Sequence, residues 1–153
     1  MGENITLIGM AGAGKTTLGK LLAGKLGYEF IDVDNIIEAK GRKLQEIIDT
    51  EGEKKFLKVE ENAILSLTGT KKVFAPGGSC VLSEKAMNHI KEISKVVFID
   101  VPFDVIEKGL KRFNLDRRGI IGLKKIKLKD LFNIRHPLYK KYADITINMG
   151  DDS

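Results

Sequence analysis

Nine consecutive residues near the N-terminus, Gly9-Met10-Ala11-Gly12-Ala13-Gly14-Lys15-Thr16-Thr17, have the types and spacing of a phosphate cradle. They fit the pattern G-x-x-x-x-G-K-[ST], whose meaning depends on a strand before it and a helix after it. The small residues Gly9, Ala11, Gly12 and Gly14 let the backbone turn with its N–H groups facing inward on an anion. Gly12, Ala13, Gly14, Lys15, Thr16 and Thr17 are the candidate nucleotide-binding residues. Lys15 can reach β- and γ-phosphate oxygens, and the Thr16 hydroxyl can ligate Mg2+.

A second pair of chemical groups follows in Phe30-Ile31-Asp32-Val33-Asp34. Read as the end of a strand, alternate residues share a face, so Asp32 and Asp34 point the same way. One carboxylate can then hold magnesium or its water while the other takes the proton of an attacking hydroxyl. The plainer reading makes these acids a helix cap and an exposed strand end. Gly77 and Gly78, adjacent glycines just past an apolar run, permit a ligand to approach the backbone. Arg117 and Arg118 lie in a Gly-, Lys- and Arg-rich stretch and can close over a transferring phosphate. Arg135 can clamp a carboxylate or sit as a surface charge. His89, His136 and Cys80 carry no partner pattern and read as packing or surface residues.

These groups need a scaffold, and the hydrophobic pattern supplies one. Asn4–Ile8 reads as a buried strand and Lys15–Leu26 as a helix closed by Gly27. A second strand over 28–34 completes a βαβ unit and implies a parallel sheet, whose ligands bind at the C-terminal strand edge. Residues 35–68 read as helices broken near Gly41 and Gly52, with Phe56, Val59, Ala63 and Leu67 at core spacing. Strands follow at Lys72–Ala75, 96–100 and Ile145–Asn148, with helices at Glu84–Ile93, Phe103–Arg112 and 131–142. Ser83 is the expected N-cap of the first of these. Pro137 inside the last predicts a kink or restart.

The chain has 153 residues, enough for one domain with a full core. Lys and Arg outnumber Asp and Glu by 26 to 21, a net charge of +5 that suits anionic ligands. Dispersed charge with three tyrosines and no tryptophan argues against a nucleic-acid surface. The single cysteine predicts a reducing, cytoplasmic setting, and no apolar run is long enough to span a membrane. No secretory leader is expected before the first strand.

The whole arrangement resembles the shikimate kinase family. The resemblance rests on the phosphate loop, Phe30-Ile31-Asp32-Val33-Asp34, Gly52-Glu53 with Phe56 and Glu60, Gly77-Gly78, and Arg135 with Leu138-Tyr139 and Ala143-Asp144. It implies an α/β P-loop nucleoside triphosphate hydrolase fold with a five-stranded parallel sheet of order 2-3-1-4-5. A substrate-binding helical insertion over 33–67 and a mobile lid over 113–129 are expected, and a final helix, if the natural protein has one, lies outside this sequence. The implied activity is transfer of the ATP γ-phosphoryl to shikimate with Mg2+, by a monomer. By the same resemblance Asp32 joins Thr16 at the metal, Asp34 is the base and contacts the substrate hydroxyls, and Arg118 contacts ATP. Gly77, Gly78 and Arg135 bind the acceptor. The chain departs from the family where Leu57 replaces a carboxylate-binding arginine, Ser79 replaces a third glycine, and Gly119-Ile120-Ile121 follow Arg118. These departures leave open a kinase for another hydroxy acid or hydroxy amino acid, or a nucleotide-binding regulatory protein without transfer.

Overall fold

The computed structural model describes residues 3–112 and 127–149. Five strands, β1 (Asn4–Ile8), β2 (Glu29–Asp32), β3 (Lys72–Ala75), β4 (Ser94–Asp100) and β5 (Ile145–Asn148), form one sheet in the order β2-β3-β1-β4-β5. Every pairing is parallel. The helices are α1 (Lys15–Leu26), α2 (Val33–Glu38), α3 (Leu44–Glu51), α4 (Glu53–Leu65), α5 (Glu84–Ile93), α6 (Phe103–Arg112) and α7 (Leu128–Tyr142), with a 3-10 turn at Gly78–Leu82.

Strand alternation divides the core between the two faces of the sheet. Leu7, Val73, Val97 and Ile99 pack with Ala23, Leu18, Leu22 and Phe30 on the α1 face. Their neighbours Ile8, Phe74, Val96 and Phe98 join Val33, Phe56, Ile64, Met87 and Tyr139 on the other. A parallel sheet covered on both faces brings all its C-terminal strand ends to one edge, and the phosphate loop, Asp32 and the turn after β3 meet there.

Several boundaries differ from the sequence expectation. The second strand stops at Asp32 rather than 34, because Asp32 turns to cap α2: its Oδ1 accepts from the Asp34 amide at 2.9 Å. β4 begins at Ser94, directly after α5. The Ser94 hydroxyl donates to the Ile90 carbonyl at 2.7 Å and lies 2.6 Å from Thr6 Oγ1, so the junction needs no loop. Helix α7 starts at Leu128 rather than 131, and so takes in the last two residues of the expected lid; Arg117, Arg118 and the rest of 113–126 lie outside the described residues. Pro137 leaves α7 a single helix. The carbonyl its ring leaves unbonded belongs to Asn133, an exposed residue that water can reach. The insertion between β2 and β3 is α2, α3 and α4, interrupted at Gly41 and Gly52 as the pattern predicts. Ser83 caps α5, accepting from the Ala86 amide at 3.0 Å.

Among the described residues no helix is long and apolar enough to cross a membrane.

Candidate active site

The phosphate loop joins β1 to α1, and its last glycine sets the geometry. Gly14 is the N-cap of α1 at φ 88°, a left-handed conformation that a side chain would strain. The first helical bond runs from the Leu18 amide to the Gly14 carbonyl at 2.9 Å. The amides of Lys15, Thr16 and Thr17 therefore have no acceptor within α1, and they add to its positive end. The Ala13 amide donates to the Met10 carbonyl at 3.2 Å, which closes the loop. Lys15 Nζ donates to the Gly9 carbonyl, so its cation bridges its own loop. Burial lowers its pKa, opposed by the nearby Cys80 and Asp34.

Asp32 and Asp34 come from different elements, not from one strand face. Asp32 ends β2 and keeps Oδ2 open while Oδ1 serves the cap. Asp34 lies in the first turn of α2 and is pushed up to about 6, first by burial and then by Asp32, against the pull of Lys15. A carboxyl poised there can exchange a proton near neutral pH. Thr16 is exposed, and its hydroxyl makes no hydrogen bond to a described residue.

The turn after β3 faces these groups. A Cβ on Gly77 would lie 2.8 Å from Glu60 Oε2 and 3.5 Å from Asp34 Oδ1, so a side chain there would push the Glu60 carboxyl aside. Tyr139, fully buried on α7, donates its hydroxyl to the Gly78 carbonyl at 2.7 Å and fixes the turn. Arg135 is one turn away on the same buried face, with Leu131, Tyr139 and Tyr142. It is 2 % exposed, which excludes the surface-charge reading, and its guanidinium acts on Lys15, Glu60, Cys80 and Tyr139.

Two site features escape sequence reasoning. Glu60 on α4 is buried; the Ser79 hydroxyl donates to its Oε1 at 2.6 Å, and Oε2 has no hydrogen-bond partner. Burial pushes Glu60 up to about 7, with Ser79 pulling the other way. Its sequence neighbour Glu61 is satisfied by Lys58 at 3.0 Å and the Ser83 hydroxyl at 2.6 Å. Leu57 is half-buried and lines a cavity of about 270 Å³ with Glu60, Glu61, Ile64, Ser79 and Ala86. The second feature is His136, which does have a carboxylate partner: Nε2 lies 3.0 Å from Asp100 Oδ1. Helical spacing alone could have placed Arg135 inside, whereas nothing local links Ser79 to Glu60 or His136 to Asp100. Cys80 is buried and pushed up to about 12, an inert thiol. His89 bonds the Leu67 carbonyl at 2.9 Å.

The donor set fits a nucleotide with magnesium. Among the described residues no cluster of three or more His, Cys, Asp or Glu could cage a metal. One hydroxyl and one open carboxylate oxygen instead suit an ion that takes its remaining ligands from phosphate and water.

A parallel sheet of order β2-β3-β1-β4-β5 with this loop after β1 and helices on both faces defines a P-loop phosphotransferase. The family model for shikimate kinase matches residues 11–153. The shikimate kinase of Mannheimia succiniciproducens is 38% identical over 158 residues, covering 99% of this chain and 88% of that protein. That of Vibrio cholerae is 39% identical over 156 residues, with the same coverage of 99% and 88%. Among solved structures, shikimate kinase from Acinetobacter baumannii in complex with shikimate superposes with a TM-score of 0.87 at 33% identity, covering 97% of this chain and 84% of that one. This chain belongs to the shikimate kinase family, and it is an ATP- and Mg2+-dependent small-molecule phosphotransferase.

Proposed function

We propose that this chain transfers the γ-phosphoryl group of ATP to a hydroxyl of shikimate, giving shikimate 3-phosphate and ADP. The observation that carries the reading is the meeting of Asp34, Gly77 and the loop lysine at one sheet edge, with buried Arg135 beside them.

In this account the free amides at the start of α1 and the loop backbone hold the phosphates, and Lys15 exchanges its bond to Gly9 for phosphate oxygens. Thr16 and Asp32 would hold magnesium, which when bound neutralises β- and γ-oxygens. Asp34 orients the acceptor hydroxyl and takes its proton as oxygen attacks phosphorus. The new O–P bond forms as the bond to the ADP oxygen breaks. Gly77 and Gly78 let the acceptor lie against the backbone, and Arg135 holds its carboxylate. Arg118 is assigned to the ATP phosphates by family resemblance, and the helices over 33–67 to acceptor binding. All of these groups come from one chain, which suits a monomer.

The hydroxy amino acid alternative needs an ionised acid for the ammonium group. Glu61 is already engaged by Lys58 and Ser83, and Glu60 is pushed toward its neutral form, so a carboxylate without an ammonium fits better.

The test is ADP release from Mg-ATP with shikimate, other hydroxy acids and hydroxy amino acids. Release that rises with shikimate alone supports the assignment. A stronger response to a hydroxy amino acid moves the acceptor class, and release indifferent to every metabolite returns the chain to nucleotide binding without transfer.

A further inference from the structure

Resting on that function, we propose that Glu60 is a specificity-determining residue that binds the acceptor in its protonated form, with Ser79 placing its proton on Oε2.

The geometry starts from an imbalance at one carboxyl group. Glu60 is 2 % exposed, and only Oε1 is bonded, accepting from Ser79 Oγ at 2.6 Å. Oε2 is buried without a partner, a costly arrangement for a polar atom unless a ligand completes it. That oxygen faces Gly77 and the Asp34 carboxylate, the side on which the acceptor hydroxyl must lie. A carboxyl whose Oε1 accepts a hydrogen bond carries its proton on Oε2, and there it becomes a donor. Leu57, on the preceding turn of α4, supplies no cation that would hold Glu60 ionised.

The surroundings agree with a neutral carboxyl. Burial, and after it Asp34 from α2, favour the protonated form; the Ser79 hydroxyl, then Arg135 from α7 and Lys15 from α1, oppose it. Cys80 from the 3-10 turn and Tyr139 from α7 also face it, and both stay neutral because burial pushes their pKa values up. The balance sets Glu60 at about 7. Below that pH Oε2–H donates to an oxygen of the bound hydroxy acid. Above it the donor is lost and an anion faces an anion.

The readout is kcat/KM for shikimate at saturating Mg-ATP from pH 5.5 to 9, with kcat followed separately. In the wild type kcat/KM should fall about tenfold between pH 7 and 8.5 through a rise in KM, as one lost proton on the free enzyme requires. Glu60→Gln keeps an N–H donor but cannot titrate, so the falling limb should vanish. Ser79→Ala removes a bond that favours the ionised form, so the limb should move to higher pH. A flat wild-type profile, or a limb unchanged in both variants, overturns the proposal while leaving shikimate phosphorylation intact. Absence of shikimate turnover at every pH overturns the proposed function itself, and this proposal with it. If Glu60→Gln does not fold, the direction of the Ser79→Ala shift decides the matter.

Discussion

The amide of Asp34 donates to Oδ1 of Asp32 over 2.9 Å, and this bond separates the work of two acids that look equivalent in the sequence. Asp32 is spent partly on capping α2, while Asp34 is turned inward toward Lys15 and Gly77. Asp34→Asn keeps the shape and removes the base. Turnover should drop by roughly 10²–10⁴ with ATP affinity retained. Single-turnover kinetics beside nucleotide titration checks this, and undiminished turnover would leave Asp34 with a structural role only.

Asp32 should show two separable effects. Asp32→Asn keeps the cap and should raise the Mg2+ concentration needed for half-maximal rate, at little cost in stability. Asp32→Ala should do the same and also lose about 1 kcal/mol from the missing cap. Thermal melts of both variants distinguish the cases; equal melting temperatures would remove the cap from the account.

Lys15→Ala should abolish transfer, because phosphate loses its nearest cation at a cost of about 3–5 kcal/mol, as for one partner of a buried charge pair. Calorimetric ATP binding and turnover read it directly. Near wild-type values for both would show that the loop does not hold the nucleotide.

Much of the scaffold was legible because its signals are local. The phosphate loop, α1 with its Gly27 stop, β3, β5 and the Ser83 cap are each set by residues within a few positions of one another. The Asp32–Asp34 step was misplaced because Val33 is buried in either reading, so apolar patterning could not separate strand from helix. The start of α7 was missed since Lys127 offers no side-chain cap to mark it. Glu60 entered the sequence reading only through the family resemblance. The sequence could not show that Ser79, a departure from the family, reaches it across 2.6 Å.

Tyr139→Phe tests how the acceptor turn is held. The variant leaves the Gly78 carbonyl without its buried donor, which should cost about 1–3 kcal/mol. The melting temperature should fall, and KM for shikimate should rise more than KM for ATP. A melt and KM values matching the wild type would mean that the turn is fixed by other contacts.

Leu57→Arg probes the family departure from the opposite direction. A guanidinium on that face of α4 can add a charge-assisted bond to the acceptor carboxylate worth about 1.5–3 kcal/mol. KM for shikimate should fall, though by less than the roughly ten- to hundredfold that bond alone would give, because the new cation also holds Glu60 ionised and removes its donor. No gain would show that Arg135 and Glu60 already saturate recognition of the acid.

The most direct measurement follows the phosphoryl group itself. ATP labelled with ³²P in the γ-phosphate is incubated with Mg2+, shikimate and the purified chain, and the products are separated. The account predicts label in a shikimate phosphate ester, formed in step with ADP and lost in Asp34→Asn. Label recovered only as ATP or inorganic phosphate, with none on shikimate, would contradict it.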